Sequence, residues 1–184
     1  MTTPPVPHQA SYTYEDYKGF PDDFRCEIIN GEIYDMTPAP STKHQRVVGK
    51  VYRLVGNYLE GKTHHCRFFV APTDVVLAED QVVQPDVFVV CDEKKIQDNA
   101  IFGAPDVVFE ILSAGTGKRD RGKKMKLYRR FGVLEYFLVD PDNELVEKYV
   151  FSQGRIGFAE SYEGEEAFLI DTIGLELAAK DLFV

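Results

Sequence analysis

The sequence predicts a mixed α/β fold, one mixed sheet carrying a long helix on each side, and three observations lead there. Two runs, Asp86–Val90 (DVFVV) and Asp106–Leu112 (DVVFEIL), are nearly unbroken β-branched and apolar residues of the kind found in strands covered on both faces. Between residues 41 and 59, apolar residues return every three or four positions, as on one face of a helix, and Gly115 to Phe131 reads as a second helix. The chain has 184 residues, 44% hydrophobic and 28% charged, which suits one globular unit and excludes disordered and collagen-like classes.

Residues 1–12 hold three of the ten prolines and no periodic pattern, so they are expected to be a tail, with one domain over residues 13–184. Strands are expected at 24–29 and 32–36, around the hairpin dipeptide Asn30-Gly31. Ser41 is a suitable N-cap for the first helix, and Gly61 stops it. Two short strands, Cys66–Val70 and Asp74–Leu77, join near Pro72. The central runs follow, then the second helix, which ends at Gly132, and another central strand at Tyr136–Val139. A hairpin of Leu145–Phe151 with Ile156–Tyr162 completes the pattern, leaving Phe168–Val184 ambiguous.

No apolar run approaches the roughly 20 residues of a membrane span. Met1 to Ala10 lacks the basic start and apolar centre of an export signal, so the expected location is the cytoplasm. Cys26, Cys66 and Cys91 are odd in number and have no C-x-x-C spacing; they read as small buried residues, with neither a disulfide framework nor a zinc site expected. The pair His64-His65 before Cys66 reads as a solvated turn, because neighbours on a strand point to opposite faces. The net charge is −9, yet Lys118 to Arg130 (KRDRGKKMKLYRR) holds eight basic residues and one acid.

Phosphate-loop chemistry is excluded, because Gly115-Thr116-Gly117-Lys118 lacks the six-residue frame and the following Ser or Thr. A serine nucleophile elbow is also missing, since Ser113 has no flanking glycines. The informative residues are charges set where apolar ones belong. Glu110 interrupts a buried strand and needs a partner, because an uncompensated buried carboxylate costs several kcal/mol. Asp86 opens the preceding central strand, and two acids close together either share a proton or bind a cation.

At about 100° per residue, Lys124 shares the apolar stripe of Leu127, Tyr128 and Phe131, whereas Lys123 and Lys126 point elsewhere. An inward lysine beside a buried Glu is a candidate for orienting or deprotonating a water. His44 begins the buried stripe of the first helix, and Glu27 is a further polar residue between Cys26 and Ile28. Structural alternatives stand beside each: a strand cap for Asp86, a buried ion pair for Glu110, a snorkelling Lys124, an interfacial His44 and an exposed Glu27.

Pro85-Asp86, Glu110 in FEILS, the basic helix KRDRGKKMKLYRRFGV and the segment GVLEYFLVDP, with CEIINGEI and PSTKHQR before them, resemble the Uma-type restriction endonuclease family of the PD-(D/E)XK nuclease superfamily. The resemblance covers roughly residues 12–150. It implies a restriction-endonuclease-like core and a Mg²⁺- or Mn²⁺-dependent phosphodiesterase site. Asp86 and Glu110 would be the metal ligands, joined by a backbone carbonyl near Ile111. The usual lysine two residues after the Glu is Leu112 here, and the family's helical lysine corresponds to Lys124. Glu27 and His44 match further polar positions of the site.

The implied partner is nucleic acid, DNA in the first instance, with Lys118, Arg119, Arg121 and Lys123 meeting its phosphates. A homodimer is expected through Leu145–Phe151 and Phe168–Val184. The acidic net charge leaves room for a partner protein that delivers the chain, and for the alternative of a nuclease-fold binding module with weak or lost activity.

Overall fold

The structure, a computed structural model, describes residues 10–36, 39–61, 65–113, 115 and 117–183. His64 and residues 1–9 of the expected tail lie outside the described residues. Tyr12, which the sequence reading puts in the tail, is buried, and its N–H donates to the carbonyl of Gly31.

A short helix α1 (Tyr14–Lys18) leads to the hairpin β1 (Cys26–Ile29) and β2 (Glu32–Asp35), which turns at Asn30 and Gly31 with φ of 53° and 72°. Helix α2 (Thr42–Glu60) follows, then β3 (Arg67–Val70), β4 (Val75–Ala78), β5 (Gln81–Val83), β6 (Val87–Val90), β7 (Ile101–Phe102) and β8 (Val107–Ile111). One helical turn, α3 (Gly117–Arg119), passes through a π-helical segment, Asp120–Lys124, into α4 (Met125–Phe131). After Gly132, whose φ of 92° closes that helix, come β9 (Glu135–Asp140), β10 (Leu145–Ser152), β11 (Arg155–Glu163), β12 (Ala167–Ile170) and β13 (Leu175–Ala178).

The mixed α/β architecture is the one expected, but the strands do not form one sheet. Six of them order as β11-β10-β9-β8-β6-β3, five as β2-β1-β5-β4-β7, and β12-β13 pair alone. One of the crossings between the two large sheets falls at Gln84-Pro85-Asp86. Proline has no N–H to give to a ladder, and the chain changes sheets there, between β5 and β6.

Side-chain alternation fixes the layers. Val87, Val89, Val107, Phe109, Ile111, Phe137 and Val139 face α2 and the β12–β13 hairpin. Phe88, Val90, Val108, Tyr136 and Leu138 face α4 and the five-stranded sheet. Glu110, even-numbered like the second set, therefore points toward α4. Ser41 caps α2 by accepting from the N–H of His44, which holds the first turn of that helix at the end of β6.

The cysteine reading needs correction. β3 pairs antiparallel with β6, Arg67 opposite Val90, so the next pair outward is Cys66 and Cys91, and these two are joined as a disulfide. Their separation of 25 positions hid a contact that only strand register creates. Cys26 is buried and free, as read. Among the described residues, no helix is long and apolar enough to cross a membrane.

Candidate active site

The register of β6 on β8 sets Val87 opposite Phe109 and thus, one step further, Asp86 beside Glu110. Asp86 Oδ2 accepts from the N–H of Ile111 at 2.8 Å, which locks its carboxylate across the strand pair. From the other layer, His44 Nε2 reaches the same oxygen at 3.2 Å. Burial alone lowers the tendency of His44 to hold a proton, but the bond and charge of Asp86 outweigh it and raise the imidazole above its ordinary value.

Glu110 is buried at 3% exposure and is held from the α4 side. Lys124 Nζ lies 2.8 Å from Glu110 Oε1, and Tyr128 donates to the same oxygen at 2.7 Å. Lys124 also reaches Glu27 Oε1 at 2.7 Å and Asp120 Oδ1 at 4.0 Å. Glu27 comes from the five-stranded sheet and is fully buried; its Oε1 accepts from the N–H of Gln84 at 3.1 Å, at the point where the chain crosses between sheets. The structure thus gathers Glu27, His44, Asp86, Glu110 and Lys124 around one place.

The π-helical turn is what supplies Lys124 and Asp120 together. An extra residue in the turn widens the helix, a feature frequent at functional sites, and both side chains become buried on the inner face. Tyr136 holds that turn by donating to the carbonyl of Asp120 at 3.1 Å. Asp120, Tyr128 and Gln84 were missed from sequence; the signal available for Asp120 was its place four residues before Lys124, as the one acid in the basic strip.

Electrostatically the place is acidic. Burial pushes the Glu110 carboxyl up from its ordinary range; Lys124 pulls it down, while Asp120, Asp86 and Glu27 push it up further. Burial works against the Lys124 ammonium, but Glu110, Glu27 and Asp120 more than reverse this, so the amine keeps its proton. A lysine held this way is a fixed cation set among acids.

The expected phosphate contacts are distributed differently. Arg119 turns inward, its Nη2 3.6 Å from Glu27 Oε2. Arg121 pairs with Glu147 at 2.5 Å. Lys123 lies 3.1 Å from Glu32 and 4.7 Å from the ring centroid of Tyr34. Lys118 is exposed. A second basic surface went unread. On α2, Lys43, Arg46, Lys50 and Arg53 recur at the spacing of one helical face, with no acid before Glu60, and they begin beside His44. Lys43 is paired with Asp142 at 2.8 Å. The periodicity that identified the buried face of α2 also marks this stripe.

The profile of the Uma2 family, described as "Putative restriction endonuclease", matches residues 12–180. Two proteins of Synechocystis sp. (strain ATCC 27184 / PCC 6803 / Kazusa) are similar in sequence. "Uncharacterized protein sll1609" is 32% identical over 129 residues, 68% of this chain and 71% of that one. "Uncharacterized protein slr1290" is 26% identical over 159 residues, covering 85% and 82%. A crystal structure of "a putative nuclease belonging to DUF820" from Anabaena variabilis ATCC 29413 superposes with a TM-score of 0.76 over 93% of this chain and 97% of that one; at 22% identity the likeness is one of fold. With a profile match running from Tyr12 to Lys180, the chain belongs to the Uma2 putative restriction endonuclease family.

Proposed function

We propose that this protein is a metal-dependent nuclease that hydrolyses phosphodiester bonds, with DNA as substrate, at the place where Asp86 and Glu110 meet Lys124. The observation that carries the reading is the cross-strand acid pair, fixed at Asp86 by the Ile111 N–H and faced at Glu110 by a buried ammonium.

The residues suit a hard divalent ion. Four buried or partly buried acids, Glu27, Asp86, Glu110 and Asp120, stand against Lys124, Arg119 and a histidine, and Glu27 Oε2 has no hydrogen-bond partner among the described residues. Among the described residues, no three members of this cluster each bring a ligand atom within 4.8 Å of the other two, and the site is read as two carboxylates, Asp86 and Glu110, with the remaining positions left to water. That is the binding habit of Mg²⁺, which keeps several of its waters. Asp86 and Glu110 would hold the ion, which when bound polarises a phosphate oxygen and acidifies a water.

The chain's own residues have distinct parts. Lys124, held among its acids, orients the attacking water and balances charge that develops on the phosphate. His44 fixes Asp86 from one side, and Tyr128 fixes Glu110 from the other. Glu27 and Asp120 hold Lys124 in place and keep it protonated. The α2 stripe runs outward from His44 for about 15 Å at 1.5 Å per residue, a length that serves a few backbone phosphates.

The test is cleavage of plasmid, single-stranded DNA and RNA with Mg²⁺ or Mn²⁺. Glu110→Gln and Asp86→Asn should each lower the rate about a hundredfold or more; cleavage unchanged in both variants overturns the assignment. A second reading, a nuclease-fold module that binds without cutting, draws support from the acidic net charge and from the pairing of Arg121 and Lys123 with acids. Thermal unfolding separates the two, since an intact site raises the midpoint on Mg²⁺ or Mn²⁺ addition and a degraded one does not.

A further inference from the structure

At the end of β6 remote from Asp86 lies a second group of ligands with different chemistry. β3 is the edge strand of its sheet, and its register with β6 brings Cys66 onto Cys91. His65, exposed and next to Cys66 just ahead of the strand, contributes an imidazole, and one ligand atom from each of His65, Cys66 and Cys91 lies within 4.8 Å of the other two. Five residue steps along β6 lead from Asp86 to Cys91, roughly 16 Å at 3.3 Å per residue. The two groups are therefore separate.

We infer that His65, Cys66 and Cys91 form a second metal site, selective for Zn²⁺ and similar thiolate-binding ions, that exists only while the Cys66–Cys91 disulfide is reduced. Two thiolates and an imidazole are the donors that such ions prefer, whereas Mg²⁺ takes oxygen ligands. The scaffold is set before any ion arrives. Cys66 is buried at 3% exposure against the α2 side of the core. The N–H of Cys91 donates to Asp106 Oδ2 at 2.7 Å, which pins its backbone whichever state the sulfur is in. His65 on the surface gives the ion a path in and leaves a fourth position to water.

The switching step balances. A dithiol reductant gives two electrons and two protons to the Cys66–Cys91 bond and becomes a disulfide itself, leaving two thiols on the protein. When the ion binds, those thiols release their two protons to solvent and their sulfurs become ligands. Reoxidation by a disulfide oxidant, which takes up the two electrons and leaves as two thiols, removes both ligands at once, so ion and disulfide exclude each other.

The experiment is an anaerobic Co²⁺ titration of the full chain, oxidised and phosphine-reduced, with excess Mg²⁺ present to saturate oxygen sites. Reduced protein should take up one equivalent of Co²⁺ with a thiolate-to-cobalt charge-transfer band, displaced by equimolar Zn²⁺, and oxidised protein should show none. Cys66→Ser and Cys91→Ser should abolish the band and His65→Ala should weaken binding about tenfold or more, while Cys26→Ala and Glu110→Gln retain it. The oxidised and reduced forms of the unaltered chain are compared directly, so the result does not depend on any variant folding. No band in reduced protein, an equal band in oxidised protein, or a band that survives Cys66→Ser overturns the site.

Discussion

Among the described residues two lysines are buried, Lys124 and Lys148, and their surroundings differ in a way that separates architecture from chemistry. Lys148 lies 3.3 Å from Glu135 and 2.5 Å from Asp171, and donates to the carbonyl of Leu169. Both oxygens of Glu135 accept from backbone, Oε1 from Asp171 and Oε2 from Thr172. Every group there is answered, and the result is a clip that fastens the β12–β13 turn to the sheet. Lys124 instead serves two buried carboxylates with a third at 4.0 Å, and the cluster leaves Glu27 Oε2 and His44 Nδ1 without hydrogen bonds among the described residues. An acid surplus with open ligand atoms is costly to keep unless something else binds there.

Truncating each lysine sharpens the contrast most. Lys124→Met strands Glu27 and Glu110 together and should cost about 3–5 kcal/mol in denaturant unfolding, with part of the loss recovered on adding Mg²⁺. Lys148→Met leaves Glu135 with its two N–H donors and should cost no more than about 3 kcal/mol, with no recovery by Mg²⁺ and no change in cleavage per folded molecule. Equal costs and equal metal responses would erase the distinction between the clusters.

The charged surfaces can be compared next, at intermediate cost. Arg46→Glu with Arg53→Glu on α2 should weaken nucleic-acid binding and reduce the slope of log affinity against log salt by roughly 1–2. Arg121→Glu, already answered by Glu147, should change the slope by less. Fluorescence anisotropy over a salt series reads both, and a larger effect at Arg121 would move the phosphate path to the α3–α4 side.

The smallest expected change is at Tyr128, whose hydroxyl donates to Glu110. Tyr128→Phe removes one hydrogen bond to a charged group, about 1.5–3 kcal/mol at most. If Tyr128 positions Glu110 for catalysis, kcat should fall with KM unchanged. A shift in KM alone would make it a packing residue.

Local periodicity made much of this legible. The spacing of Lys124 with Leu127 and Tyr128 puts the lysine inside, where it is 3% exposed, and Asn30-Gly31 turns where its conformational freedom allows. Features that depend on register between distant segments are not carried by local pattern; the family resemblance put Asp86, Glu110 and Glu27 in one site, and nothing pointed to the Cys66–Cys91 pair. Asp86 meets Glu110, Cys66 meets Cys91, and Glu27 arrives from a different sheet, all through pairings that no window of sequence contains. The π-helical turn escaped for a related reason: its extra residue is stabilised by Tyr136, sixteen positions downstream. Arg119 looked like a solvent cation because the acid that draws it inward, Glu27, is 92 residues away.

The crossing at Gln84-Pro85-Asp86 ties the fate of the cluster to the joint between the two sheets. One backbone amide of that crossing grips Glu27 from the first sheet, and two residues later the chain delivers Asp86 to the second. Peeling the β1–β2 hairpin away would withdraw Glu27 and loosen Lys124 while the six-stranded sheet still stood. Competence is thus a property of the seam, and it can be lost well before the molecule unravels.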